Sequence, residues 1–227
     1  TTKETFALAV QNHQKNNLKV AENLYKKILK INPNHFESIF LLGTLLAETK
    51  KFVEAKQMLT KAIQIKPNHA LAHNNLGIIF KELGKHQEAL ACYKNAILAD
   101  PNHTLAVNNL SILLKETQLN NLTQTHNSSL KKLILLLFKR NDINHKDIFR
   151  NAKTLLFIEE NNKQLKEIVN SNTLLLKNQI IQNLLKEELF LLMLQKSLTA
   201  DQFVEKILTK LRYEILFTLV DSNQNIL

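Results

Sequence analysis

Pro33, Pro67 and Pro101 stand 34 residues apart, and each opens the same tripeptide, Pro-Asn-His. A fixed interval of this length marks a chain built from one small unit copied in series, each copy too small to bury its apolar face except against its neighbours. Two further features recur in register. An alanine precedes each proline by 12 residues and is followed four later by a large side chain: Ala21 with Tyr25, Ala55 with Leu59, Ala89 with Tyr93. Residues four apart share one helix face, so this is a helical stripe of small against large. The chain has only 3 glycines and 3 prolines, all before residue 102. Hairpins have almost no turn-forming material here, whereas helices run well without it, so the chain is all-α.

Upstream of each alanine lies a second small-and-large pattern: Leu42-Gly43 with Leu46, Leu76-Gly77 with Phe80, and more weakly Leu8-Ala9 with Asn12. Small residues let two helices approach closely, and large ones fill the groove that results. Proline then ends the second helix of the pair. Together these motifs resemble the tetratricopeptide repeat. The resemblance implies a right-handed α-solenoid with repeats at about 2–35, 36–69 and 70–103, then a fourth helix A from Thr104 to about Thr117. Residues 2–117 are expected to form the solenoid, 118–129 a linker rich in Asn, Thr and Gln, and 130–227 a C-terminal helical domain.

In that family the A helices line the concave surface. The corresponding residues are identical in the third and fourth repeats: Leu71, Asn74, Asn75, Ile78, Lys81 and Glu82, then Leu105, Asn108, Asn109, Ile112, Lys115 and Glu116. Earlier repeats present Phe6, Ala7 and Val10, then Phe40, Leu41 and Thr44, so the groove should grade from greasy to polar. Asn75 and Asn109 match the asparagine ladder of superhelical tetratricopeptide proteins. There each amide offers a donor and an acceptor to the backbone of an extended peptide. The alternative use of these amides is hydrogen bonding between neighbouring A helices. The clamp by which some tetratricopeptide domains hold a chaperone's C-terminal carboxylate needs Lys and Asn on the first A helix and Lys and Arg on the third, where this chain has Phe6, Val10, Leu71 and Asn75, so docking of that carboxylate is disfavoured.

From Leu130 onward helices are expected near 129–140, 145–160, 162–169, 173–196 and 200–220. Val204, Ile207, Leu208, Leu211 and Ile215 lie on one face of the last. Thr199 with Gln202, and Asn144 with Asp147, read as helix starts. Leu189 to Leu194 is apolar on all sides, which suits a covered helix. The opening stretch Phe6 to Gln14, Leu189 to Leu194, Leu198-Thr199 and Glu205 to Leu216 together resemble the N-terminal region of bacterial tetratricopeptide proteins carrying a class I S-adenosylmethionine-dependent methyltransferase domain. The resemblance implies a substrate-recruiting arm of a larger transferase. Opening on Thr1 and not Met, the chain is expected to be a piece of something longer.

Other classes are disfavoured by the residues themselves. The formal charge of +10 admits a nucleic-acid reading, but lysines come as isolated doublets such as Lys50-Lys51 and Lys131-Lys132, usual for a solvated helix face. The single cysteine, Cys92, excludes an intramolecular disulfide and fits a reducing, cytoplasmic setting; beside Tyr93 on a helix it reads as a small apolar residue. No apolar run approaches the ~20 residues of a membrane span. Equivalent histidines in stacked repeats stand about 10 Å apart, too far to share a metal ion, and the Asn of each Pro-Asn-His is expected to cap the next helix. No glycine follows Gly84, so no Gly-rich phosphate loop can form there, and adjacent carboxylates such as Glu159-Glu160 and Glu187-Glu188 diverge around a helix. The expected partner is therefore a protein or peptide held in the groove, with no cofactor, no metal and no catalysis by this chain.

Overall fold

The computed structural model describes residues 1–117, 127–141, 145–157, 161–171, 174–196 and 202–224. It divides into two compact units, Thr1–Leu113 and Leu114–Leu227. The first unit is a helical stack in strict register. Its A helices are α1 (Thr2–Gln14), α3 (Phe36–Glu48), α5 (Ala70–Glu82) and the start of α7 (Thr104–Glu116); its B helices are α2 (Leu18–Ile31), α4 (Phe52–Ile65) and α6 (His86–Ala99). Each helix packs on the next along the chain from α1 to α6, and α3 also lies against α5.

The A and B helices of one repeat meet where the sequence alternates small with large. Tyr25, Leu59 and Tyr93 are wholly buried, as are Ala9, Ala21, Ala55 and Ala89. A Cβ added to Gly77 would stand 2.6 Å from Cε1 of Tyr93, and one on Gly43 would stand 2.9 Å from Cγ of Leu59. The glycines are therefore set by the approach of the partner helix. Burial pushes the Tyr25 hydroxyl up to about 12, with Glu48 adding to the effect. That hydroxyl lies 3.4 Å from Nδ1 of His13, whose Nε2 is 3.1 Å from Glu48 Oε2, joining the first repeat to the second.

Both turns of the repeat are also copied. At the A-to-B turn Asn16, Lys50 and Gly84 are left-handed, with φ of 61°, 58° and 70°. The following amide then bonds back six residues' span: Asn17 N–H to Asn12 O, Lys51 N–H to Leu46 O and Lys85 N–H to Phe80 O, each 2.8 Å. This closes the free carbonyls at the helix end. At the B-to-A turn the helix cap is the histidine and not the asparagine expected from sequence. Nδ1 of His35, His69 and His103 accepts from the backbone N–H of Ser38, Ala72 and Ala106, at 3.2, 3.1 and 3.2 Å. The residue before the proline braces the turn: Asn34 N–H donates to Asn32 Oδ1 and Asn102 N–H to Asp100 Oδ1. The asparagine lies one residue too early, because the helix begins immediately after the histidine.

The second unit contains α8 (Asn127–Lys139), α9 (His145–Phe157), α10 (Asn161–Asn170), α11 (Gln179–Lys186), α12 (Glu188–Lys196) and α13 (Gln202–Gln224), with a 3-10 turn at Leu175–Lys177. Asn144 and Thr199, the expected helix starts, lie outside the described residues, as do positions 118–126 of the expected linker and the Glu159-Glu160 pair; Asn127 already opens α8. The single helix expected over 173–196 is instead broken at two extended residues, Asn178 and Glu187. Asn178 caps α11 through its own side chain, which accepts from Ile180 N–H. At the second break both adjacent carboxylates reach α8, Glu187 pairing with Lys131 and Glu188 with Lys139, each at 2.7 Å. In a continuous helix they would point roughly 100° apart; the extended residue removes that divergence.

On α13 Val204, Ile207 and Leu211 are buried as expected, but Ile215 is 46% exposed and Glu214 is buried in its place. Its two carboxylate oxygens accept from Leu175 N–H and Leu176 N–H at 2.6 and 2.9 Å. A buried carboxylate thus satisfies backbone donors that have no helical partner. The all-round apolar segment is buried through Leu189, Phe190 and Met193, while Leu191 keeps 48% exposure.

Gly77→Ala should destabilise the first unit by about 1–2 kcal/mol, overpacking against Tyr93 outweighing the gain in helix propensity. Lys50→Gly should stabilise it by about 1 kcal/mol, because only glycine carries the left-handed conformation without cost. Urea midpoints of the three proteins check both signs.

Candidate functional site

Four A helices beginning 34 residues apart present equivalent residues on one face of the first unit. The polar centre of that face is a connected chain of side chains. Asn109 Nδ2 donates to Asn74 Oδ1 at 2.9 Å, Asn74 Nδ2 to Asn75 Oδ1 at 3.4 Å, Asn75 Nδ2 to Thr44 Oγ1 at 3.1 Å, and Thr44 Oγ1 to Phe40 O at 3.1 Å. The relay runs from α7 through α5 to α3. Asn74 is 1% exposed, so its amide is a buried polar group whose donor and acceptor are both used within the stack. Bonding between neighbouring A helices, the alternative role for these asparagines, is therefore realised in the structure.

The aromatic end is organised around the histidine caps. The Phe6 ring lies 5.3 Å from His35, and the Phe40 and Phe36 rings lie 4.7 and 4.9 Å from His69. Phe6 is half-buried and Phe40 buried, both engaged in the joint between one repeat and the next. Thr44, expected on the groove face from the 34-residue register, stands at the register position of Ile78 and ends the relay on α3.

Around this spine the face is apolar and open. Leu71 and Ile78 on α5 are 36% and 38% exposed, and Leu105 and Ile112 on α7 are 59% and 43% exposed. Asn108 is also exposed, while Asn75, Lys81 and Asn109 are half-buried. Lys115, exposed, falls past the division and belongs to the second unit. Leu71 and Ile78 are seven residues apart, two helical turns or about 10.5 Å, and Leu105 and Ile112 repeat the arrangement on the next A helix. The face can therefore take apolar side chains at four points around a fixed polar line.

Reactive chemistry is not gathered here. Cys92 is buried, and desolvation, with Glu88 beside it, pushes its thiol up to about 12. Such a thiol is a poor nucleophile at neutral pH. Among the described residues no group of three His, Cys, Asp or Glu side chains could hold a metal ion, and no helix is long and apolar enough to cross a membrane.

Two tetratricopeptide-repeat family models match the chain, over residues 13–76 and 70–103. Residues 13–103 accordingly carry tetratricopeptide repeats. Among curated proteins none matches the sequence. An O-GlcNAc transferase mutant from Thermobaculum terrenum is similar with 22% identity and a TM-score of 0.51, over 61% of this chain and 26% of that one. The tetratricopeptide domain of Arabidopsis OM64 gives 21% identity and 0.50, over 51% of this chain and 96% of that one. The corresponding domain of Sgt2 from Aspergillus fumigatus gives 16% and 0.50, over 53% and 81%. The chain thus spans about a quarter of the transferase's length. At these identities the likeness is one of fold.

The relay should be visible as coupling. In a double-mutant cycle Asn74→Ala and Asn109→Ala should be non-additive by about 1 kcal/mol in unfolding free energy. Additive losses would mean that the two amides act separately.

Proposed function

We propose that the repeat unit holds a stretch of partner polypeptide against its A-helix face. The observation that carries this reading is the repeated pair of exposed apolar residues, Leu71 with Ile78 and Leu105 with Ile112, flanking an amide relay that fixes the spacing of the helices beneath. Exposed apolar side chains grouped on one face of a rigid scaffold are what a bound chain covers. Asn108, exposed beside them, offers a donor and an acceptor to the partner's backbone. Asn75 and Asn109 support the face from within, their amide nitrogens being directed along the relay. The role is one of holding and not of reaction.

A second reading places this unit as the recruiting arm of a larger methyltransferase or other transferase, presenting a polypeptide substrate to a catalytic domain elsewhere in the protein. The likeness to the Thermobaculum transferase, of which this chain spans about a quarter, favours it. Reading the gene past Leu227 separates the two: a glycine-rich strand-turn-helix would support the arm, and a stop codon would sink it.

The face itself is tested by replacing Ile78 and Ile112 with Asp after a partner has been captured from the native cell and purified. The double variant should bind that partner at least ~10-fold more weakly. Its melting temperature should stay nearly unchanged, since exposed substitutions cost about 0.5 kcal/mol or less. Equal affinity would overturn the assignment of the face.

A further inference from the structure

His69 caps α5 in a way that only its neutral form allows. An N–H can only donate, so Nδ1, which accepts from Ala72 N–H at 3.1 Å, must carry a lone pair, and the ring proton sits on Nε2. A second proton would place a donor against a donor. It would also set a cation at a helix N-terminus, where the partial charge is already positive.

The surroundings of the ring do not offset this. The Phe36 and Phe40 rings of α3 stand edge-on to it, at 4.9 and 4.7 Å. The charged and titratable groups acting on it are Lys66 from the preceding turn, His73 on α5 and His103 from the following turn, each cationic or able to become so. The Phe36 ring already carries the Lys66 ammonium at 3.9 Å from its centroid. Glu37 of α3 is committed to Lys66 at 3.4 Å and stands 3.8 Å from His35 Nδ1. His35 thus has a carboxylate to accompany a proton, while His69 has none among the groups acting on it. A phenyl ring attracts a partly exposed imidazolium only weakly. Protonation forfeits the cap and sets a cation against the helix dipole, two effects that oppose that one attraction.

We propose that the His69 cap is an acid-sensitive latch at the joint of the second and third repeats, closed while the ring is neutral and opened by protonation of Nδ1. Opening frees the first turn of α5, which carries Leu71 and precedes Asn74 of the relay. Any effect on partner holding rests on the reading above; the latch itself does not.

Desolvation, then Lys66, His73 and His103, hold the His69 ring below the usual histidine range. Its folded pKa therefore lies below its unfolded one. The stability it contributes is full above about pH 6.5 and is lost as pH falls toward the folded value.

The test uses the whole chain and His69→Asn, which keeps a capping oxygen that does not titrate. Between about pH 7.5 and pH 5.5 the melting temperature of the wild-type chain should fall about 2–4 °C further than that of H69N. The protection factor of the Ala72 amide, which also donates to His69 O at 3.1 Å, should fall with acid in the wild type alone once exchange is referred to its intrinsic rate at each pH. Histidines that do not act on His69 contribute to both proteins and cancel in the comparison, while His73 and His103, which act on the ring, belong to the effect that the difference reads. Parallel pH profiles would overturn the proposal. Should H69N fail to fold, the ring titration of His69 in the wild-type chain decides: a midpoint below about 6.5 supports the latch, and one above it refutes it.

Discussion

Everything in the first unit depends on how closely helix A approaches helix B within a repeat. Gly43 and Gly77 stand so near Leu59 and Tyr93 that even one added carbon would clash. This contact sets the separation of the pair and buries the tyrosine, and equal pairs then stack with equal offsets. The exact 34-residue spacing of helix starts follows from repeating one contact. Ala9 performs the same task in the first repeat, where it is wholly buried.

Stacking one pair on the next calls on different chemistry. Between the first two repeats the ties are ionic and aromatic: Glu22 accepts from both Lys26 and Lys51, and the Phe6 ring meets His35. Those two lysines, Lys26 foremost, hold the Glu22 carboxyl below its ordinary range. Between the second and third repeats Phe36 and Phe40 close on His69, and beyond them the amide relay takes over. The greasy-to-polar gradient read from the A helices is thus largely a gradient in how the repeats are joined. What stays exposed for a partner is the apolar fringe beside the relay.

The second unit shows where apolar periodicity misleads. Val204, Ile207 and Leu211 follow the three-and-four spacing of a buried stripe, and the next step is Glu214. A glutamate reads as surface, which directs attention to Ile215. The carboxylate is buried because Leu175 and Leu176 bring two amide donors to it from a distant part of the chain. The break at Glu187 has the same character: a strongly helical run is interrupted where two lysines of α8 can take both glutamates. Long-range partners decided both features, and no local signal encodes them.

The sequence by itself determined the helical class, the repeat length and the starts of the A helices, because these rest on periodic placement of small, large and helix-ending residues. It also identified the asparagines, but not their engagement. An amide has the same chemistry whether it meets a ligand or its neighbour, and only the distance between helices distinguishes the two. That distance led Asn109 to Asn74 and Asn75 to Thr44, and brought His69 between two phenyl rings. The capping role of the histidines was likewise a tertiary decision. A ring nitrogen becomes a cap only when the turn before it delivers the helix start within about 3 Å, a geometry that residue identity alone does not specify.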